Sequence, residues 1–163
     1  NEFSDFARMP KPIFKEINLY NVISRSLKLN ELSEKKIKFS ITKEGVFKIM
    51  GDEEQLNRVF INIIKNSIES IHLKNNKNVD FKGKIDIEIN QDSDYIYVEI
   101  TDDGIGFDHV DKAKMLTPYY TTKEKGTGLG LSVVTKIIND HNSTIVFNSI
   151  TEGAKIKISL PRI

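Results

Sequence analysis

The sequence predicts a single α+β domain in which three helices cover one face of a mixed, mostly antiparallel sheet. Its 163 residues, of which 39% are hydrophobic, suffice for one buried core. Short stretches with alternating apolar residues occur mostly as neighbours joined by turns, which favours antiparallel strand pairs. Longer stretches repeat their apolar residues with the helical period of about 3.6 residues. Together these observations predict two layers, one of sheet and one of helices.

The first half of the chain is expected to contain three short strands and one helix. A strand at 17–19 leads into the helix at 20–32. The core-facing side of this helix is predicted to consist of Val22, Ile23, Leu27 and Leu29. A strand at 37–41 has apolar residues at alternate positions, and after the turn at Gly45 the strand at 46–50 is expected to pair back onto it.

The second half is expected to continue with the central helix and two strand pairs. The central helix is predicted to begin after Asp52, a favourable N-cap, and to reach about His72. A hairpin is expected from strands at 84–90 and 95–101. The third helix is expected at 128–141, and a final strand pair at 143–149 and 154–160. The stretch 107–125 has weak periodicity, and a loop of this length in a compact domain is usually functional or disordered.

The first residues have the pattern of the end of a longer helix. Phe3 and Phe6 would share one face, and Pro10 would then stop the helix. We therefore expect residues 1–14 to be the end of a preceding helix with its linker, and residues 15–163 to be the folded domain.

The composition excludes several classes of function. A net charge of +1 implies no general affinity for polyanions, so no nucleic-acid partner is expected. The chain has no cysteine, which excludes disulfides and thiolate metal sites. No apolar run approaches the length of a membrane span and no signal peptide is visible, so we expect any membrane attachment only through a missing N-terminal part.

Two glycine-containing pentapeptides and a pair of asparagines predict a nucleotide site. Residues 102–106 and 126–130 each place glycines two apart, and glycine allows positive φ and a close approach of backbone to a ligand. Asn62 and Asn66 lie one turn apart on the central helix, so both amide oxygens can face one cation. Magnesium prefers oxygen ligands and usually takes few protein groups together with substrate phosphates.

The two asparagines lie at the edge of an apolar stripe on the same helix. Taken alone, asparagines on an Asn-rich chain are more often solvated residues, and the nearby glycine motifs are what favour the cation site. The stripe is formed by Leu56, Val59, Phe60, Ile63, Ile64, Ile68 and Ile71.

Asp102 is the candidate for recognising the base. It is predicted to end a strand just before Gly104, where a carboxylate can accept a hydrogen bond from the exocyclic amine of adenine. Guanine offers a carbonyl at that place, so adenine would be selected. Asp103 is the competing candidate, and since neighbours on a strand point to opposite faces, only one of the two can face the pocket. The alternative for both is an acid that caps the turn.

The second glycine motif leads directly into the apolar third helix. Backbone amides and the helix N-terminus can then donate to phosphates. The motif is neither a Walker A, since no Gly-Lys-Ser/Thr follows, nor a dinucleotide fingerprint, since no βαβ unit surrounds it. Lys123 and Lys125 precede it and could contact phosphate, although Lys125 is equally well explained as a solvated loop lysine.

Four ordered motifs resemble the ATP-binding catalytic domain of bacterial sensor histidine kinases, within the GHKL ATPase superfamily. They are the N box (52–70), the G1 box (102–107), the F box and lid (117–123) and the G2 box (126–131). The runs 3–12 and 118–130 look especially like NtrY-type kinases of nitrogen regulation.

The resemblance implies a Bergerat fold that binds Mg-ATP under a mobile lid and transfers the γ-phosphoryl to a histidine on a separate dimerisation domain. It implies that Asn66 is the Mg²⁺ ligand, with Asn62, Asn66 and Lys123 as catalytic residues. The implied partners are the chain's own dimerisation domain, in a homodimeric full-length protein, and a response regulator, and the implied location is the cytoplasmic side of an inner-membrane sensor. The implied nucleotide contacts are Asn62, Asn66, Asp102, Gly104, Gly106, Thr122, Lys123, Gly126, Thr127, Gly128, Leu129, Gly130 and Leu131.

The chain departs from the resembled pattern at three places. Glu69 stands where many of these kinases have a phosphate-contacting Lys, so that contact would come from Lys65 or Lys123. Ala154 stands where a Thr is common beside the nucleotide. Asn142-Ser143 replaces the usual Gly-Gly after the third helix, and Asn still tolerates the left-handed cap.

Other functional classes remain as alternatives. A GHKL ATPase of the gyrase, mismatch-repair or chaperone type would carry a Glu at position 62 as a base for water, and Asn62 cannot accept a proton there. A nucleotide-sensing module or a serine-phosphorylating anti-sigma kinase is the other alternative. The three histidines, His72, His109 and His141, lack the helical His-Glu or His-Asp setting of a phospho-acceptor, and the two at helix ends suit the helix dipole.

Overall fold

The computed structural model describes residues 9–76, 78–107 and 130–163. Within these ranges the chain forms three helices and seven strands. The helices are α1 (Leu19–Glu31), α2 (Glu53–Lys74) and α3 (Gly130–Asp140). The strands are β1 (Lys15–Asn18), β2 (Ile37–Ile41), β3 (Lys48–Gly51), β4 (Gly83–Gln91), β5 (Tyr95–Asp102), β6 (Thr144–Ile150) and β7 (Gly153–Pro161).

The main sheet has five strands in the order β2-β4-β5-β7-β6. Only its β2–β4 pair is parallel, and the other three pairs are antiparallel. The parallel pair is possible because α2 provides the crossover between the two strands. The α+β fold class predicted from the sequence, with a mixed and mostly antiparallel sheet, is confirmed.

The predicted pairing of 46–50 with β2 is wrong. β3 pairs with β1 in a separate two-stranded sheet, in which Ile17 lies opposite Ile49. The Asn18 side chain fixes this arrangement, since it donates to Gly45 O at 3.0 Å and accepts from Phe47 N at 3.0 Å. These two bonds hold the chain before β3 against β1 and leave β2 free to join β4.

The core lies between the main sheet and the helices. Along β4, β5 and β7, buried and more exposed residues alternate, so each strand presents one apolar face. All seven residues of the predicted α2 stripe are at most 6% exposed. Leu29 was predicted to face the core but is 63% exposed, because it lies two positions and about 200° around the helix from buried Leu27.

The ends of the helices follow their capping residues. The Asp52 side chain accepts from Gln55 N at 3.1 Å and caps α2, as predicted. Asn142 after α3 has φ 55°, the left-handed conformation expected for it. Among the described residues, no helix is long and apolar enough to cross a membrane. The predicted helix end at 1–9 falls outside the described residues, apart from its last position.

Candidate nucleotide site

Asp102 and Asp103 point in different directions at the end of β5. Asp102 continues the buried face of the strand and is 5% exposed. The Asp103 side chain accepts the backbone N–H of Lys84 at 2.9 Å and thereby caps the neighbouring strand β4. Of the two candidates, Asp102 is therefore the one whose carboxylate faces the space between sheet and helices, and Asp103 has the structural role of an acid beside a turn.

The Asp102 carboxylate accepts a hydrogen bond from the loop that follows it. Its Oδ1 accepts the backbone N–H of Gly104 at 2.9 Å. Burial raises the pKa of Asp102 above its ordinary value, while the Gly104 bond and the Ser67 hydroxyl on α2 act in the opposite direction. A carboxylate has about four acceptor sites, so acceptor capacity remains for a ligand.

The two asparagines lie on the helix that contacts the loop after Asp102. Asn62 and Asn66 are half-buried at the edge of the apolar stripe, one turn apart. Ser70, one turn after Asn66, accepts Ile105 N from that loop at 2.9 Å. The helix that carries the candidate cation ligands is therefore bonded to the loop of the candidate base-recognition residue.

The loop after Asp102 is held by contacts on both sides. On one side, Ile105 N donates to Ser70 Oγ at 2.9 Å, and a Cβ at Gly104 would lie 2.3 Å from that hydroxyl. On the other side, Phe107 N donates to Ser149 Oγ at 2.8 Å. Gly106 has φ 75°, a conformation that favours glycine. The described part of the first glycine motif is therefore a preformed loop.

The start of β7 lies next to Asp102 in the main sheet. Ala154 lies opposite Asp102 in the β5–β7 register and is 3% exposed. Gly153, just before it, has φ 149°, and a Cβ there would lie 1.9 Å from Asp102 O. This contact requires glycine at position 153 and brings the start of β7 directly against the Asp102 backbone.

The second glycine motif is described only from Gly130 onward. Gly130 and Leu131 form the first turn of α3, and an added Cβ at Gly130 would meet nothing within 4 Å among the described residues. Packing within that part of the chain does not explain the glycine. The other residues predicted from this motif and the preceding loop lie outside the described residues: Thr122, Lys123, Gly126, Thr127, Gly128 and Leu129, together with Lys125, His109 and the predicted lid after Phe107.

The two described histidines have partners that suit a structural role. His141 Nδ1 lies 2.8 Å from Ile137 O and can only donate to this carbonyl. Its Nε2 then accepts the backbone N–H of Asp52 at 3.0 Å, which makes the ring neutral. His72 Nε2 lies 2.9 Å from Glu34 Oε2 at the other end of α2.

Several residues that build the site were not singled out from the sequence pattern. Ser70, Ser149 and Gly153 all contact the Asp102 loop but belong to no glycine motif. The available hint for Ser70 is its place inside the central helix, where serine is unfavourable unless its hydroxyl has a partner.

A polar depression of about 530 Å³ lies elsewhere on the main sheet, and five of its residues are Ser40, Thr42, Asp86, Glu88 and Asn90. On β4 its polar residues alternate with buried isoleucines, so they face away from the helices. The sheet separates it from Asp102, and it is not part of the candidate site.

In the described ranges no group of three or more His, Asp or Glu side chains could hold a metal ion.

The chain matches one protein family and several solved domains. The family described as histidine kinase-, DNA gyrase B- and HSP90-like ATPase matches residues 51–163. The nitrogen regulation protein NtrY of Azorhizobium caulinodans is 32% identical over 98% of this chain, and the match covers 21% of NtrY. Sporulation kinase A of Bacillus subtilis is 39% identical over 77% of this chain and 20% of that protein. The chain thus spans about a fifth of these relatives.

The solved structures agree with this match. The nucleotide-free catalytic domain of histidine kinase ThkA superposes with a TM-score of 0.79 and 28% identity, covering 92% of this chain and 96% of that domain. The mycobacterial sensor histidine kinase MprB shares the fold, with a TM-score of 0.79 at 22% identity over 92% of this chain and 98% of its own.

Proposed function

The chain belongs to the family of histidine kinase-, DNA gyrase B- and HSP90-like ATPases, and we propose that it is the ATP-binding catalytic domain of a sensor histidine kinase. In this proposal it binds Mg-ATP and transfers the γ-phosphoryl group to a histidine on a separate dimerisation domain. The similarity to NtrY supports a role in nitrogen-related signalling.

The buried carboxylate of Asp102 is the observation on which the proposal depends most. Its Oδ1 accepts Gly104 N at 2.9 Å, and the carboxylate retains acceptor capacity. An exocyclic amine of adenine can donate to it, whereas guanine would place a carbonyl against a negative charge. Asp102 is therefore proposed to bind and select the base, with Gly104 and Gly106 shaping the loop around it.

Asn66 is proposed as the Mg²⁺ ligand, with Asn62 one turn away supporting it. Neutral amide oxygens fit this ion, because the phosphates and waters complete its coordination. The bound ion would neutralise charge that develops on the phosphates. Gly130 and Leu131 are proposed to lie beside the phosphates at the N-terminus of α3. Thr122, Lys123, Gly126, Thr127, Gly128 and Leu129 are proposed as further contacts on the basis of the sequence motifs alone.

The residue at position 62 distinguishes a histidine kinase from a hydrolytic ATPase of the gyrase, mismatch-repair or chaperone type. Phosphoryl transfer depends mainly on positioning and on electrostatic stabilisation of charge, so the domain can act without a base for water. Asn62 cannot accept a proton, which disfavours a hydrolytic ATPase of the gyrase or chaperone type. A kinase that phosphorylates serine is the alternative that this residue leaves open.

The proposed partners follow from the kinase assignment. The acceptor histidine would belong to the chain's own dimerisation domain in a homodimer, with residues 1–14 as the connection and 15–163 as the catalytic domain. A response regulator would then receive the phosphoryl group, and histidine kinase ThkA has been solved in complex with a response regulator. The domain would act on the cytoplasmic side of an inner-membrane sensor.

Isothermal titration with ATP and GTP, with and without Mg²⁺, tests the binding part of the proposal. ATP should bind, more tightly with Mg²⁺, and GTP should bind more weakly by at least tenfold. Equal affinities for the two nucleotides would refute the assignment of Asp102 to adenine.

A further inference from the structure

Two successive amides of the loop after Asp102 bond in different directions. Gly104 N donates to Asp102 Oδ1 at 2.9 Å, and Ile105 N donates to Ser70 Oγ on α2 at 2.9 Å. The residue whose amide holds the carboxylate is therefore joined directly to a residue whose amide is held by the central helix. A shift of the Ile105 amide would also turn the Gly104 amide and the carboxylate bonded to it.

The loop lies directly against the helix at Ser70. A Cβ added at Gly104 would lie 2.7 Å from the backbone carbon of Ser70, closer than Cβ contacts in proteins come. One turn further along α2, Lys74 Nζ donates to Asp103 O at 3.0 Å. Two side chains of α2 thus bond to the loop backbone on either side of Gly104.

The same two side chains continue a row that begins with the asparagines. Asn62, Asn66, Ser70 and Lys74 are spaced four residues apart on α2, so each lies about one turn after the one before it. Along this row the candidate cation ligands come first and the contacts to the loop follow. Since a helix rises by about 1.5 Å per residue, the Ser70 contact sets how far the loop lies from Asn66.

We propose that Ser70 is a positioning residue for base recognition, which fixes the loop after Asp102 on α2 and thereby orients the carboxylate relative to the cation site. A carboxylate that is oriented before the ligand arrives lowers the entropy cost of binding. This inference rests on the proposed function, because it requires that Asp102 binds adenine. It deepens that function by assigning part of the base selectivity to a residue of the central helix.

Amide hydrogen exchange of the nucleotide-free chain tests the contact itself. In Ser70→Ala the Ile105 N–H loses its acceptor, so its exchange should become about twofold to tenfold faster, as expected for the loss of one hydrogen bond. The Asp94 N–H bonds to Asp92 Oδ1 in the turn between β4 and β5, and its exchange should stay unchanged. Unchanged exchange at Ile105 would overturn the proposal.

Titration of ATP and GTP tests the consequence for base recognition. Ser70→Ala should bind ATP about twofold to tenfold more weakly, because the loop that orients Asp102 has lost one hydrogen bond. GTP binding should change by less than about twofold, because guanine does not donate to this carboxylate. The ratio of ATP affinity to GTP affinity should therefore fall, whereas a general loss of folded protein would lower both affinities equally.

Ser26→Ala is the matched control. Ser26 is a helical serine whose hydroxyl is also hydrogen-bonded, to Val22 O within α1 and to Asn57 near the start of α2, each at 2.9 Å. This variant should match the parent for both nucleotides. Thermal unfolding of both serine variants confirms that the comparison is made between folded proteins.

Magnesium distinguishes this role from an effect on Asn66, one turn earlier on the helix. If Ser70 acts on the base, the loss of ATP affinity in Ser70→Ala has the same fold-change with Mg²⁺ and with a chelator. A loss seen only with Mg²⁺ would move the effect to the cation site and overturn the proposal.

A second variant displaces the loop without changing Ser70. Gly104→Ala introduces the Cβ that would collide with α2, so the bond between Ile105 N and Ser70 should already be broken in it. Adding Ser70→Ala to this variant should then change the ratio of ATP to GTP affinity no further. Additive effects of the two substitutions, or a parental ratio in Ser70→Ala, would overturn the inference alone. A parent that does not prefer ATP to GTP would contradict the proposed function, and the inference would fail with it.

Discussion

The imidazole Nε2 of His141 accepts the backbone N–H of Asp52 at 3.0 Å, across 89 positions of sequence. The bond joins the C-terminal end of α3 to the N-terminal end of α2. The Asp52 side chain extends the connection, since Oδ1 caps α2 and Oδ2 accepts Ile13 N at 2.9 Å. Phe14 packs edge-on against the His141 ring, with centroids 5.1 Å apart. The two helices of the candidate site and the segment before β1 therefore meet at one point.

Replacing His141 with alanine should destabilise the fold. The change leaves the partly buried Asp52 N–H without its acceptor and removes the buried ring, while Ile137 O keeps the bond from the backbone N–H of residue 141. The expected cost is about 1–3 kcal/mol in the free energy of unfolding. Urea denaturation measures this cost. His72→Ala is the control, because the side chains of His72 and Glu34 are 47% and 23% exposed and their surface pair should contribute less than about 1 kcal/mol. Equal losses in the two variants would contradict the structural role of His141.

Replacing Asp102 with asparagine should weaken ATP binding. The variant loses a charge-assisted hydrogen bond to the adenine amine, worth roughly 1.5–3 kcal/mol, or about tenfold to 150-fold in affinity. Isothermal titration measures it, with Asp103→Asn as the control at the adjacent acid. A larger effect at Asp103 would reverse the assignment of the two residues.

The same variant should show a distinct dependence of stability on pH. Burial raises the pKa of Asp102, so the contribution of this carboxyl to stability is fully present below its unfolded value of 3.8 and is lost as pH rises through the folded pKa. Asparagine does not ionise, so the Asp102→Asn variant does not lose this stability as pH rises. The variant should therefore be more stable than the parent at pH 7, and the difference should shrink as pH falls toward 3.8.

Urea denaturation of the parent and Asp102→Asn at a series of pH values checks this sign. ATP binding by the parent should also fall as pH decreases through the folded pKa of Asp102, because a protonated carboxyl no longer offers two acceptor oxygens. A parent that gains stability relative to the variant as pH rises would contradict the assignment.

Replacing Asn66 with alanine should remove most of the contribution of Mg²⁺ to nucleotide binding. The expected result is ATP affinity close to the parent's in chelator and at least tenfold weaker in Mg²⁺, since the variant lacks the proposed ligand of the ion. Asn21→Ala, at an exposed position of α1, is the control and should leave both affinities unchanged. Equal loss in the two buffers would indicate that Asn66 contacts the nucleotide directly.

Local patterns in the sequence predicted the elements whose neighbours are close along the chain. The β4–β5 hairpin, the α2 stripe and the Asp52 cap depend on alternation, helical period and a capping residue, and all three are confirmed. The partner of β3 was predicted wrongly because it is decided by the bonds of Asn18 to residues 27 and 29 positions away.

The residues of the candidate site show the same difference between local and long-range features. Asp102 could be proposed as a site residue from the sequence because its motif is local, and its burial follows from strand alternation. Ser70 contacts the Asp102 loop 35 positions along the chain, and His141 contacts Asp52 across 89. No pattern within either segment specifies such pairs, so they required the folded structure.

The most direct test of the account is transfer of labelled γ-phosphate from ATP to an acceptor histidine on a separate protein. The chain is mixed with the dimerisation domain that the proposal places before it, and the label on each protein is followed over time. We expect the isolated chain to stay unlabelled and to release phosphate only slowly, to label the dimerisation domain when mixed with it, and to lose this transfer in Asn66→Ala. Rapid hydrolysis of ATP by the isolated chain, lost in Asn62→Ala and without label on the histidine, would contradict the account.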